Sequence, residues 1–323
     1  MTVFAINDAE FGWEEIVAAA EAWGEWQPFV VETRQALACL AYAAESNQLP
    51  AANEVREAAT AFRYAHNLIS AEETQTWLDR WEMTVSDWMN CLRGQLLVQR
   101  WATTLEQIAA AHPVSEEDVA TVIRDYAVCA GKLGAWAQKL AGHAAVAFQV
   151  VWGRAAESGC FDATTGSPRD LVFRIEAEFD RQRQQTVTPK QVETKIVDHR
   201  LDWIRFDCRY LRFADERQAR EAAFCVTEDG LTLDEVARDA HCEVRHWSFY
   251  LDEIEAGVRP HFLAAGQGDW LGPIRMLNAF SLFSVVAKQM PAAGDPQIKQ
   301  RAEQAIIGGM MEQAINERVK WMM

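Results

Sequence analysis

The densest concentration of side chains able to hold a metal or move a proton is the run containing His241, Cys242 and His246, with His261 further on. A His-Cys-x-x-x-His spacing offers imidazole and thiolate donors of the kind zinc takes. Adjacent ligands on one element point in different directions, however, and no fourth donor stands nearby. The run therefore reads as polar residues on a solvated loop, and no metal or cofactor is expected. The remaining cysteines, Cys39, Cys91, Cys129, Cys160, Cys208 and Cys225, are scattered singly. An odd total with no CxxC argues against a disulfide framework and fits a reducing compartment. Acidic residues are abundant, but none is tied to a base or nucleophile at a recognisable spacing. Gly308-Gly309 reads as a close-packing point in a helix rather than a phosphate loop. The motifs of P-loop nucleotide binding, helical zinc proteases and the nucleophile elbow are absent.

The formal net charge of −16 excludes the basic footprint of a nucleic-acid binder and disfavours anionic membranes. It suits basic or apolar polypeptide partners. Half of the 323 residues are hydrophobic, enough for a substantial core and two or three domains. Thirteen Trp serve core packing first and interfaces second. The opening residues MTVFAINDAEFGWEE lack a basic and then apolar signal, and no run reaches the roughly 18 apolar residues of a membrane span. A cytoplasmic protein without membrane insertion is the expectation.

Helical signals dominate the first two thirds. Residues 13–46 read as two helices, and 51–68 as a third with the stripe Val55, Ala58, Ala59 and Phe62. Capping boxes at Ser70/Glu73 and Thr84/Asp87 open two more. Pro113 breaks the pattern, and Ser115 starts a long helical stretch to about Val151. Residues 158–170 read as a loop, and 171–185 as helix. Thr188-Pro189 with Gln191 opens another helix. WIRFDCRYLRF (203–213) then alternates, with Ile204, Phe206, Cys208 and Tyr210 on its apolar face, as a half-buried strand does. Asp215 caps a helix with the stripe Ala219, Ala222, Ala223 and Val226, and Thr232/Glu235 caps a short one. A loop-rich stretch, WLGPI, the buried strand 280–288 and a final helix over 295–321 complete the chain.

In this order, residues 203–291 resemble a parvulin-type peptidyl-prolyl isomerase domain. The matching pieces are the opening strand, AREAAFCVTEDGLTLDEVARDA, VRPHFLAAGQGDWLGPI and SLFSVVAKQMP. Gly230-Leu231-Thr232-Leu233 and Leu271-Gly272-Pro273-Ile274 fit the family's two turns. VREAATAFRYAHNLISAEETQTWLDRWEMTVSDW (55–88) resembles the helical segment ahead of that domain in SurA-like chaperones, most closely in cytoplasmic homologues beside peptide-maturation and export systems. The resemblance implies a predominantly α-helical α+β fold. Its parts would be an N-terminal helical domain over 1–104, a helical middle segment of unassigned role over 105–197, a parvulin-like domain over 198–293, and a C-terminal helix over 294–323 closing back on the N-terminal domain.

The departures shape the functional expectation. The histidine of the family's closing strand is replaced by Ser281, and no histidine stands near Cys208 or Arg209, where the first strand would carry one. Prolyl isomerisation has a barrier of roughly 18–20 kcal/mol. Lowering it takes an apolar cradle with a shaped polar network beside it. With the network gone, no catalytic residue is expected. The resemblance implies a surviving peptide cradle at Ile254, Val258, Phe262, Leu263, Trp270 and Phe280, for which plain core packing is the competing reading. The expected activity is chaperone-like capture of an unfolded polypeptide or precursor peptide, in a groove between helical module and parvulin-like domain, during maturation or export of a ribosomally made peptide. An active isomerase and an accessory subunit docking a modifying enzyme are the alternatives.

Overall fold

The structure, a computed structural model, describes residues 2–155, 166–276 and 278–322. The chain opens with β1 (Thr2–Ile6), β2 (Ala9–Gly12), α1 (Trp13–Ala22), α2 (Trp26–Glu45), α3 (Ala52–Ala65), α4 (Ala71–Arg80) and α5 (Val85–Arg100). There follow α6 (Leu105–Ala111), α7 (Glu116–Cys129), α8 (Lys132–Ala155), α9 (Pro168–Thr186) and α10 (Pro189–Asp198). Then come β3 (Arg205–Phe213), α11 (Glu216–Thr227), α12 (Leu233–Asp239), β4 (Arg245–Tyr250) and α13 (Arg259–Ala264). The last elements are β5 (Trp270–Met276), β6 (Ala279–Gln289), α14 (Pro296–Arg318) and β7 (Val319–Trp321). The fold is predominantly helical with small antiparallel sheets. No described helix is long and apolar enough to cross a membrane.

Helix starts follow from hydrogen bonds written locally in the sequence. Ser70 Oγ accepts from the Glu73 amide at 3.0 Å, and the Glu73 carboxylate accepts from the Ser70 amide at 2.7 Å. These bonds hold the Glu73 carboxyl below its ordinary range. Thr84/Asp87, Thr188/Gln191 and Thr232/Glu235 close the same way, and the Asp215 carboxylate accepts from the first amides of α11. Each box satisfies amides that have no partner inside the helix.

Two compact units result: residues 1–182 with 310–323, and residues 183–309. In the first, β1 is the centre of a sheet ordered β2-β1-β7. Asn7, at φ 54°, turns the β1–β2 hairpin, and Phe4 stacks on Phe11 at 4.6 Å. The last residues are thus not helical: α14 ends at Arg318, and β7 pairs antiparallel with β1, Trp321 opposite Phe4. The stretch expected to be one helix from Ser115 is two. Gly131, at φ 70°, takes a left-handed conformation that interrupts it between α7 and α8. Of the loop expected over 158–170, residues 158–165 and Cys160 lie outside the described residues, and α9 already begins at Pro168.

The second unit is built on a sheet ordered β4-β3-β6-β5, all pairs antiparallel. The region read as loop-rich holds β4, in which Trp247 and Phe249 lie opposite Cys208 and Phe206. Gly272-Pro273 is not a turn but an irregularity inside β5, where the register against β6 shifts. Gly272 sits at φ 121°, and a Cβ there would lie 2.6 Å from the Ser281 carbonyl oxygen, so glycine is required. β3 buries both its faces: Phe206 and Cys208 enter one core, Leu211 and Phe213 the other, under α11 and α12.

Glycine also fixes the first unit. A Cβ on Gly94 of α5 would collide with the Tyr126 hydroxyl of α7 and lie 3.3 Å from Ala36 Cβ of α2. Gly94→Ala gains about 1 kcal/mol of helix propensity and loses more, about 1–3 kcal/mol, to overpacking. Chemical denaturation is expected to show a net loss near 1 kcal/mol; a gain in stability would refute this close approach.

Candidate functional site

The six residues expected to form a peptide cradle do not converge. Phe262 has 0 % of its surface exposed. Its ring meets those of Phe206, Phe249 and Phe283 edge-on, with centroids 5.1–5.4 Å apart. Ile254 and Val258 are buried in the same cluster. Trp270 and Phe280 are half-buried against the opposite cluster, with the sheet between them and Phe262. Leu263, one residue from Phe262 on α13, turns outward and is 37 % exposed. The physical reason is geometric: α13 is a single short helix whose inward residues are needed to cover the sheet, and β5 and β6 present alternate residues to opposite faces.

The position at which the resemblance would place a histidine is equally enclosed. Ser281 is buried in the ladder between Arg212 of β3 and Ile274 of β5. Cys208 lies between Trp247 and Val285, and burial, reinforced by the nearby Asp207 carboxylate, pushes its thiol up to about 12. Arg209 binds the Asp234 carboxylate. Lys288 donates 2.7 Å hydrogen bonds to the carbonyls of Leu263 and Ala265, closing the end of α13. His241 occupies a positive-φ turn after α12, and His246 lies on β4 opposite Arg209. Among the described residues no group of three or more His, Cys, Asp or Glu is placed to hold a metal.

A groove that the sequence reading did not single out lies wholly inside the first unit. It has a volume of about 800 Å³ and runs across α3, α4 and α5. From α3 it takes Val55, Arg56, Ala59, Thr60 and Arg63, one continuous helical face. Thr74 and Leu78 line it from α4, and Val85, Trp88, Met89 and Arg93 from α5. Val55, Ala59, Leu78 and Trp88 are buried, whereas Leu49 at one margin is 52 % exposed and Val85 48 %. The Trp88 indole N–H is buried with no acceptor among the described residues. The signal was present in the stripe Val55, Ala59 and Phe62, but the stripe reads as core. Only the tertiary arrangement of α3, α4 and α5 makes Val55 and Ala59 the floor of a groove.

No family model matches this sequence, and no curated protein matches it. Among solved structures, a similar chain belongs to work describing the virulence factor PEB4 and the periplasmic protein Cj1289 of Campylobacter jejuni as two structurally related SurA-like chaperones. Identity is 9 %, the match covers 79 % of this chain and 96 % of that one, and the TM-score is 0.18. At that score the two chains share no whole-molecule superposition.

The core placement of Phe262 sets a clear contrast with its neighbour. Phe262→Ala is expected to cost about 3–5 kcal/mol, as deletion of a buried ring does. Leu263→Ala is expected to stay within about 0.5 kcal/mol. Urea unfolding of both variants checks this, and a near-neutral Phe262→Ala would return Phe262 to the list of free cradle residues.

Proposed function

We propose that this protein is a chaperone-like polypeptide-binding factor whose helical unit holds an apolar segment in the groove across α3, α4 and α5. The observation that carries this reading is the groove itself: an apolar floor of Val55, Ala59, Leu78 and Trp88, left open beside the exposed Leu49 and Val85. Clefts of this size with an apolar floor and a few polar groups are where ligands bind. A groove lined by residues of three helices suits an amphipathic segment whose apolar side chains enter it. Aromatic and aliphatic anchors such as Trp88 supply most of the affinity in such contacts.

The second unit acts in this reading without turnover. Ser281 in place of the family histidine, and Phe262 committed to the core, support a parvulin-like unit that does not isomerise proline. The resemblance read from the sequence adds the setting: maturation or export of a ribosomally made peptide, with its precursor as the client and a modifying enzyme as a further partner.

The test uses a permanently unfolded client, reduced and carboxymethylated α-lactalbumin, against the full-length protein by calorimetry. A dissociation constant on the order of micromolar is expected, with native lactalbumin not bound. The L49D/V85D variant changes two exposed side chains, so its fold should survive, as far-UV circular dichroism would verify. It is expected to bind at least about tenfold more weakly, a loss of about 1.4 kcal/mol. An unfolded client that fails to bind at about 100 µM, or that binds the variant equally well, overturns the reading. A protease-coupled proline assay is expected to show no acceleration.

A further inference from the structure

The charge lining the groove is opposite to the charge of the chain. The protein carries −16, yet Arg56, Arg63 and Arg93 line the groove and no Asp or Glu does. Four other arginines of the first unit, away from the groove, are neutralised by carboxylates: Arg34 by Glu116, Arg100 by Glu54, Arg124 by Glu82 and Arg169 by Glu21. Arg63 is engaged differently, donating to the carbonyls of Leu68 and Ile69 beyond α3, close to Glu73. Arg56 and Arg93 have no ion pair among the described residues; Arg93 donates only to the neutral Asn90 Oδ1 at 2.7 Å. In a chain with this excess of acid, two unpaired guanidinium groups beside one apolar trough are an arrangement that awaits carboxylates. Arginine suits that task because its planar fork matches a carboxylate bidentately and stays charged.

We infer that the groove selects acidic amphipathic polypeptide segments. This rests on the polypeptide-binding reading above and names its client chemistry. The apolar face of a helical client lies over Ala59, Leu78 and Trp88, and glutamate or aspartate side chains along its edges reach Arg56 on α3 and Arg93 on α5. Partial burial of the contact raises the Coulomb attraction of each pair, and the bidentate guanidinium fork offsets part of the desolvation cost. The net charge of the whole protein would by itself choose a basic client, so the two influences give opposite orders of affinity.

Three peptides of equal length discriminate them. They share leucine and phenylalanine at helical spacing and carry glutamate, glutamine or lysine at all other positions. With full-length protein in calorimetry, the glutamate peptide is expected to bind at least about tenfold tighter than the glutamine peptide, and the lysine peptide weakest. R56E/R93E is expected to invert that order. R200E/R217E, which makes the same charge change on exposed residues of the second unit, is expected to leave it intact. If all three peptides bind alike and all are lost in L49D/V85D, the charge inference fails while the groove reading stands. If the unfolded client and the peptides all fail to bind, the groove reading itself falls. If R56E/R93E changes sedimentation of the protein alone and leaves peptide affinity unchanged, the groove is a contact between copies and the inference is overturned.

Discussion

Where α5 crosses α7 there is room for a hydrogen atom and nothing larger. Gly94 lets the Tyr126 ring lie directly against the α5 backbone, with Ala36 of α2 closing the other side. Tyr126 is buried there, its hydroxyl without a partner among the described residues, and burial raises its ionisation well above the ordinary range. Close-packed interiors transmit such constraints, because neighbours have no slack to absorb a shift. The same helix that Gly94 seats carries Val85, Trp88 and Arg93 to the groove. The wall of the groove is therefore set by a contact on the inner side of α5.

The second unit shows the opposite use of aromatic surface. Phe206, Phe249, Phe262 and Phe283 form a closed set of edge-on and stacked contacts over one face of the sheet. The helices α11 and α12 cover the other face, packing Ala222, Val226, Leu233 and Val236 over Leu211 and Phe213 of β3. A sheet of four strands has little area, and both faces must be covered for it to be stable alone. Side chains spent in that way are not available to a ligand. The aromatic residues of this unit therefore serve its own core.

Charge separates the two scales of recognition. The acid excess acts over a Debye length, roughly 10 Å in ordinary buffers, and governs approach. Under the inferred selectivity, the guanidinium groups of Arg56 and Arg93 beside the apolar floor decide which segment stays. An overall field of one sign is in this way compatible with a local site for partners of that same sign.

How much was legible follows from the range of the interactions involved. Helix starts at Ser70, Thr84, Thr188, Asp215 and Thr232 are written in side chains three residues or fewer from the amides they satisfy, so the sequence alone determined them. The strand at β3 was legible by alternation through Cys208; beyond it the buried residues change face, to Leu211 and Phe213, so the strand is not the half-buried one expected. β4 and the β1–β2 hairpin carried signals too: Trp247 and Phe249 alternate, and Asn7-Asp8 is a turn pair between apolar runs. Those signals were short, and chain neighbours masked them. β7 left none, because its strand character comes from pairing with β1 at the far end of the chain. The candidate site stands at that same limit. Residue types and helical spacing marked Val55, Ala59, Phe262 and Leu263 as apolar or helical, which is all that local periodicity can encode. Whether an apolar stripe becomes core, like Phe262, or the floor of an open groove, like Ala59, depends on the distance to the next helix. Tertiary packing alone decides that, through contacts between residues far apart in sequence, such as Gly94 on Tyr126 behind one wall of the groove.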